Sequence, residues 1–389
     1  MATANSIYMK LLITIFLIGF ASVINAQNNN EFSKVDNIAL KIPDSMTRTT
    51  SGLSDYINDN FSRETDKSRA IFVWIANNIR YDIENISAVN TYKNTGEIID
   101  KVLKTRKGVC MHYAELYNEV ANMVGIKSFV IPGYTKQNGS VDKMPHAWCA
   151  SLIGSTWFLI DPTWGSGYIQ NSGFVKKISD VYFKAKPEQF IKSHMPFDPL
   201  WQFLNYPITN LEFYEGKFDV SRKRPYFNYL DTLRKYEQET EIEKLVSANN
   251  RIEKNGIKNS LILDQLKNNK REIEYYREKQ TVEMFNSAVN MYNEGINQLN
   301  EFINYRNKRF LPGKPDSDIK KMIDQPEYIL INSQRKLKEI KYADSETADL
   351  ITQFSKSVGE ALRVLNEQKI FVNKYLKSEE SLRNSLFYK

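Results

Sequence analysis

The segment HAWCASLIGSTWFLID, residues 146–161, has few ways to fold. Two runs rich in apolar, aromatic and β-branched residues flank Gly154-Ser155, and such a pair is read as a hairpin closed by a two-residue turn. Ile153 then faces Thr156, Trp148 faces Asp161 and His146 faces Thr163. Side chains alternate faces along a strand, so His146, Trp148, Asp161 and Thr163 share one face. His146 and Asp161 become diagonal neighbours, roughly 7 Å apart at the backbone and within side-chain reach. A slip of one residue would send them to opposite faces. The hairpin predicts an imidazole beside a carboxylate.

A second segment supplies a partner for that pair. RKGVCMHYAELYNEVANMVG, residues 106–125, places Cys110, Ala114, Tyr117, Ala121 and Val124 on one helical face, with Gly125 as a stop. Cys110 opens the helix, where unpaired N–H groups and the helix dipole favour an anion. Such a position favours thiolate over thiol. Gly108 is expected to give the backbone freedom there and to leave room for a substrate. A nucleophilic cysteine needs a base, and the base needs an orienting carboxylate. His146 and Asp161 suit those roles. His112 does not, because two residues along a helix rotate it away from Cys110. The competing reading is a disulfide, since Cys110 and Cys149 are the only cysteines. Cys149 points to the opposite strand face from His146, so a Cys110 that meets His146 cannot also meet Cys149.

The chain of 389 residues, 42% hydrophobic and 25% charged, has room for two domains. Lys10 precedes the apolar run LLITIFLIGFASV, and a small residue, Ala26, ends the segment before Gln27. Residues 1–26 therefore read as a signal peptide, too short in its apolar part for a bilayer span of about 20 residues. The expectation is an exported protein, periplasmic or extracellular, and not an integral membrane protein once processed. The net charge of +7 is spread over Lys/Glu mixtures, which argues for a solvated surface and against nucleic acid. Three scattered histidines and two cysteines show no metal-ligand spacing, so neither a metal nor another cofactor is expected.

Composition changes near residue 220. Before it, DKSRAIFVWIANNIR sets Ile71, Trp74, Ile75 and Ile79 on a helical face, and KSFVIPGY, HAWCASLI and TWFLID read as three strands. After it the chain is rich in Lys, Glu and Asn. Val282, Phe285, Val289, Tyr292, Ile296, Leu299 and Ile303 recur at alternating helical spacing, and Ile351, Phe354, Val358, Ala361 and Leu365 repeat it, with Val372 and Tyr375 continuing. Breaks fall at NGI, 255–257, and LPGKPD, 311–316. The division is a front domain, residues 27–218, and a helical bundle or coiled-coil domain, residues 219–389. The bundle serves packing and spacing or presents a surface to a protein partner.

The front motifs together resemble a known family. RKGVCMHYAELYNEVANMVGI, the Gly133-Tyr134 pair, HAW at 146–148 and LIDPTWGSG at 159–167 are similar to the transglutaminase-like superfamily of papain-type thiol enzymes. WIANNIRYD at 74–82 and DVYFKAKPEQFIKSHMPFDPLWQFL at 180–204 resemble the kyphoscoliosis-peptidase and cytokinesis-protein branch, over about Asp36 to Tyr214. The resemblance implies an α+β core, with the cysteine-bearing helix packed on an antiparallel sheet that carries His and Asp. It implies a triad of Cys110, His146 and Asp161, and an oxyanion hole made by the nucleophile's own N–H and a second upstream donor. Tyr92, Tyr81 and Trp74 all stand as candidates for that donor. His194 and Trp201 match the branch's downstream motif, as core positions or as substrate contacts. The implied activity is attack on a protein or peptide amide through a thioester, resolved by water in a peptidase or amidase or by an amine in a crosslinking acyltransferase. Hydrolysis is the favoured outcome because water is always present. Two rival readings are a non-catalytic protein- or cell-wall-binding module on a helical stalk, and a function carried by the helices alone.

Overall fold

The computed structural model describes residues 31–85, 94–218 and 224–388, so the leader segment and Tyr92 lie outside it. The described residues fall into two compact units: those up to 239 with 247–267, and 240–246 with 268–388.

In the first unit the helices ahead of the main sheet are α1 (Ser33–Ala39), α2 (Thr50–Asn60), α3 (Glu64–Asn78), α4 (Thr95–Thr105) and α5 (Cys110–Met123). The strands are β1 (Arg80–Tyr81), β2 (Lys107–Gly108), β3 (Ser128–Gln137), β4 (Ser140–Ile153), β5 (Thr156–Ile160), β6 (Gly167–Gln170), β7 (Gly173–Lys176) and β8 (His194–Pro196). An antiparallel sheet runs in the order β5-β4-β3-β8, and α5 packs on it. This is the α+β core expected from the sequence.

The hairpin has the expected register, with Ile153 facing Thr156 and Cys149 facing Ile160. Both turn residues are left-handed, Gly154 at φ 56° and Ser155 at φ 68°, as a type I′ turn requires. Glycine adopts that φ without steric cost, and its N–H is taken by Glu64 Oε2 at 2.7 Å. The ladder ends at Cys149 and Ile160, three positions short of the expected pairing of His146 with Thr163. Asp161 turns its N–H to Tyr182 O at 2.9 Å, and the chain curls through Gly165 and Ser166 rather than carrying Thr163 to a place opposite His146.

Alternation along β4 divides two cores. Ala147, Cys149 and Ile153 meet Tyr113, Ala114, Tyr117 and Val120 of α5. Trp148 and Ala150 meet Ile131, Trp157, Phe190 and Trp201 on the other side. Trp201 is a core residue there, its ring 5.1 Å from those of Phe129 and Tyr236.

The rear of the chain is all helical. In the second unit the long helices are α6 (Ser260–Asn307, from Asn268 on), α7 (Asp316–Glu339) and α8 (Ser345–Lys377). Leu299, Phe302, Ile319, Ile323, Leu330, Leu365 and Val372 form its main core. Val282, placed in the seam by spacing, is 55% exposed, whereas Ala288 and Phe302 are fully buried. A strict alternating count drifts around a helix of 3.6 residues per turn, so the buried stripe shifts to neighbouring positions. Among the described residues no helix is long and apolar enough to cross a membrane.

Candidate active site

Cys110 is the first residue of α5, half-buried, and follows the short parallel pairing of β1 with β2 that sets Tyr81 beside Gly108. Its thiol is near enough to the His146 imidazole to help raise that ring's pKa. His146 comes from β4, where it faces Gly133 of β3. Its Nε2 lies 2.7 Å from Asp161 Oδ2. The three residues named from the sequence therefore lie in one cluster, with His146 and Asp161 in direct contact. Both cysteines are free; Cys149 is buried and its thiol donates to Ala114 O at 3.2 Å. The expected absence of a disulfide agrees with this arrangement, but strand alternation does not explain it, because Cys149 faces the same helix that Cys110 opens.

Gly108 serves a purpose different from the expected one. A Cβ there would lie 2.5 Å from Cβ of His112, so the space belongs to His112 and not to a substrate. His112 Nδ1 accepts the Val109 N–H at 3.3 Å, which caps the helix just ahead of Cys110. Burial holds this imidazole below its ordinary pKa, so it acts as a neutral acceptor. Gly108→Ala is expected to destabilise the fold by about 1–3 kcal/mol through overpacking. A melting curve checks it, and a Tm lowered by several degrees is the expected result.

Asp161 is fully buried and its oxygens are saturated with donors. Oδ1 accepts the backbone N–H groups of Thr163 at 2.8 Å and Trp164 at 3.0 Å. Oδ2 accepts from His146 and, at 3.1 Å, from His194 Nε2. Burial disfavours its charge, but the charge and hydrogen bond of His146, aided by His194, hold it well below the usual carboxylate range. For His146, burial opposes protonation. The Asp161 charge and hydrogen bond, joined by the Cys110 thiol, outweigh burial and push the imidazole up to about 10. His194 goes the other way: burial pushes it down to about 4 despite Asp161. One positive charge, on His146, thus balances one negative charge. Sequence reasoning named His194 but did not join it to Asp161. The signal lay in the pairing of β8 with β3, which is non-local.

Among the described residues, His146, Asp161 and His194 are the group able to hold a metal ion, their ligand atoms lying within 4.8 Å of one another. Their point of convergence is already taken by Asp161 Oδ2. A metal would have to displace that oxygen and both Nε2 protons, so the donor set fits a proton network better.

Two of the three candidate second donors can be placed. Trp74 is buried under the Arg106 guanidinium at 5.0 Å and lines a cavity of about 810 Å³ with Leu40, Ile42 and Leu103. Tyr81 instead feels the charges of Cys110 and Asp161; burial first, then these, raise its phenol above the ordinary range and keep it a donor.

Residues 51–162 match the transglutaminase-like superfamily model. The chain carries a transglutaminase-like domain. Its matched segment contains Cys110, His146 and Asp161. The kyphoscoliosis peptidase of Mus musculus is 30% identical over 201 residues, which is 49% of this chain and 29% of that protein. The Lim and transglutaminase domain protein ltd-1 of Caenorhabditis elegans is 23% identical over 203 residues, 47% of this chain and 27% of that protein. The chain thus spans under a third of the length of these relatives. Among solved structures, one described as a TGase is 21% identical, with 43% of each chain covered and a TM-score of 0.24.

Proposed function

We propose that the transglutaminase-like domain is a thiol enzyme that attacks an amide carbonyl and hydrolyses the resulting thioester. The reading is carried by one observation: Cys110, at the start of α5, neighbours an imidazole whose Nε2 is held by a buried carboxylate. The Cys110 sulfur bonds to the carbonyl carbon. The oxygen that becomes negative is met by the Cys110 N–H at the helix mouth. His146 delivers its proton to the departing amine, and the C–N bond breaks to leave an acyl-cysteine. Water, deprotonated by His146, then adds to the thioester and the thiolate leaves. The peptidase named among the relatives supports hydrolysis over amine transfer. The apolar run within the first 26 residues supports an exported enzyme, and the peptidase among the relatives supports a protein or peptide substrate.

Iodoacetamide at near-neutral pH provides the first test. Alkylation of Cys110 faster than a free thiol, and lost in His146→Ala, is the expected result. Labelling at the rate of a free thiol returns the domain to a binding module. The mass of the adduct on Cys110 after incubation with candidate peptides reports the acyl group carried. Adding a primary amine separates the two fates, since a transferase yields the amide of that amine and a hydrolase yields the acid.

Tyr81 is the second oxyanion donor in this scheme, favoured by its place beside Gly108 and by its coupling to Cys110. Tyr81→Phe removes one O–H from the developing charge. Turnover is expected to fall about 10²-fold with KM little changed. An unchanged kcat would remove Tyr81 from the oxyanion site.

A further inference from the structure

His194 is fully buried, titratable and unused by the chemistry above. We propose that His194 is a positioning residue that holds Asp161 through an Nε2–H to Oδ2 hydrogen bond and so divides one carboxylate oxygen between two imidazoles. The proposal deepens the thiol-enzyme reading, but its geometry stands apart from any turnover.

A buried carboxylate oxygen left short of a donor costs about 1–3 kcal/mol. At Asp161, Oδ1 is satisfied by two backbone N–H groups, and Oδ2 by His146 and His194. His194 is itself fixed from several sides. Its strand pairs it with Thr135 of β3. Its ring stacks on Phe190 at 3.9 Å and meets Trp164 edge-on at 4.5 Å. With no exposed side-chain surface it cannot touch a substrate.

The proton positions follow from counting donors. A second positive ring 5.7 Å from His146 would repel it in a buried site, so His194 is neutral. Its Nε2–H must then serve the carboxylate, which leaves Nδ1 as an acceptor. The Ser193 hydroxyl supplies that donor at 2.8 Å. The line runs from Ser193 O–H to Nδ1, and from Nε2–H to Oδ2. His146 meets the same Oδ2 through its own Nε2–H, which leaves its Nδ1 to Cys110. Asp161 has no free lone pair with which to rotate or to collect a proton. Because His194 shares the negative charge, Asp161 draws less strongly on the His146 proton. The titratable groups around this line are Cys110 on α5, Tyr81 on β1, Asp142 on β4 and Tyr182, besides Asp161 itself.

The test reads the His146 titration directly by ¹H–¹⁵N NMR of the imidazoles in the full chain, which has three histidines. In His194→Phe the ring packing stays and the donor goes; the His146 titration is expected to move up by about one unit. In His194→Gln the side-chain amide N–H can reach Oδ2, and the wild-type titration should return. Ser193→Ala keeps every ring in place and frees the His194 tautomer, so a smaller upward shift is expected even if the phenylalanine variant fails to fold. A His146 titration within about 0.2 unit of wild type in Ser193→Ala and in any folded His194→Phe overturns the proposal. A glutamine variant that shifts as far as the phenylalanine one also overturns it. Failure of the thiol-enzyme reading is seen elsewhere, as wild-type Cys110 alkylation at the free-thiol rate.

Discussion

Cys110→Ala is expected to abolish covalent adduct formation and to lower turnover by at least about 10⁴-fold, while the Tm moves by no more than about 2 °C. The asymmetry follows from where the sulfur sits. Cys110 is half-buried at the first position of α5, so its loss opens no enclosed cavity. The core side of that helix is carried by Tyr113, Ala114, Tyr117 and Val120, which the substitution leaves alone. Peptide turnover and adduct mass spectrometry, run beside a melting curve, check both halves. Residual turnover within tenfold of wild type would place the nucleophile elsewhere.

Asp161→Asn is expected to cost both activity and stability. The asparagine amide has one acceptor oxygen and one NH₂ group, yet four N–H donors converge on this site. Whichever way the amide turns, a pair of donors faces another donor. If the NH₂ faces His146, the imidazole must present a bare Nε2 and carry its proton on Nδ1, toward the thiol. It can then no longer accept the Cys110 proton, and kcat is expected to fall about 10⁴-fold. Removing the charged partner of a buried pair typically costs about 3–5 kcal/mol, which chemical denaturation would read as a lower midpoint. An Asp161→Asn protein as stable as wild type would show that the carboxylate is not the hub of the cluster.

The same groups set the pH range of stability. His194 is held down to about 4 in the fold against an ordinary 6.5, so the unfolded chain binds the extra proton between these values. Its contribution is present above about 6.5 and is lost as pH falls toward 4. Asp161, also depressed, adds to the loss at still lower pH. His146 is raised to about 10, so its contribution is full below about 6.5 and fades as pH rises toward 10. From this cluster, Tm should peak near pH 6.5 and fall on both sides. In Asp161→Asn the alkaline slope should flatten, because the charge that raises His146 is gone.

Much of this site was legible in the chain before any tertiary contact was known. Gly154-Ser155 between two β-forming runs admits a tight turn, and the turn sets which residues share a face. That step placed His146 with Asp161 and turned Cys149 away. Thr163 escaped the same logic because the ladder ends after Ile160, and a strand's end depends on what its last N–H meets. Gly108 escaped it because a glycine reports that space is needed and not which atom fills it; here it is His112. In the rear helices the spacing gave the element type, while the choice of Ala288 over Val282 for burial depended on neighbouring helices.

What the residues determined alone was local: a two-residue turn, a period of two along the strands, and a cysteine at the first turn of a helix, each dictated by backbone sterics within a few positions. What only the tertiary structure decided was who completes the carboxylate. His194 lies 33 positions beyond Asp161 and reaches Oδ2 because β8 pairs with β3 and not with its sequence neighbours. Pairing at that separation is selected by burial and hydrogen-bond satisfaction over the whole sheet, a sum no short window of sequence contains.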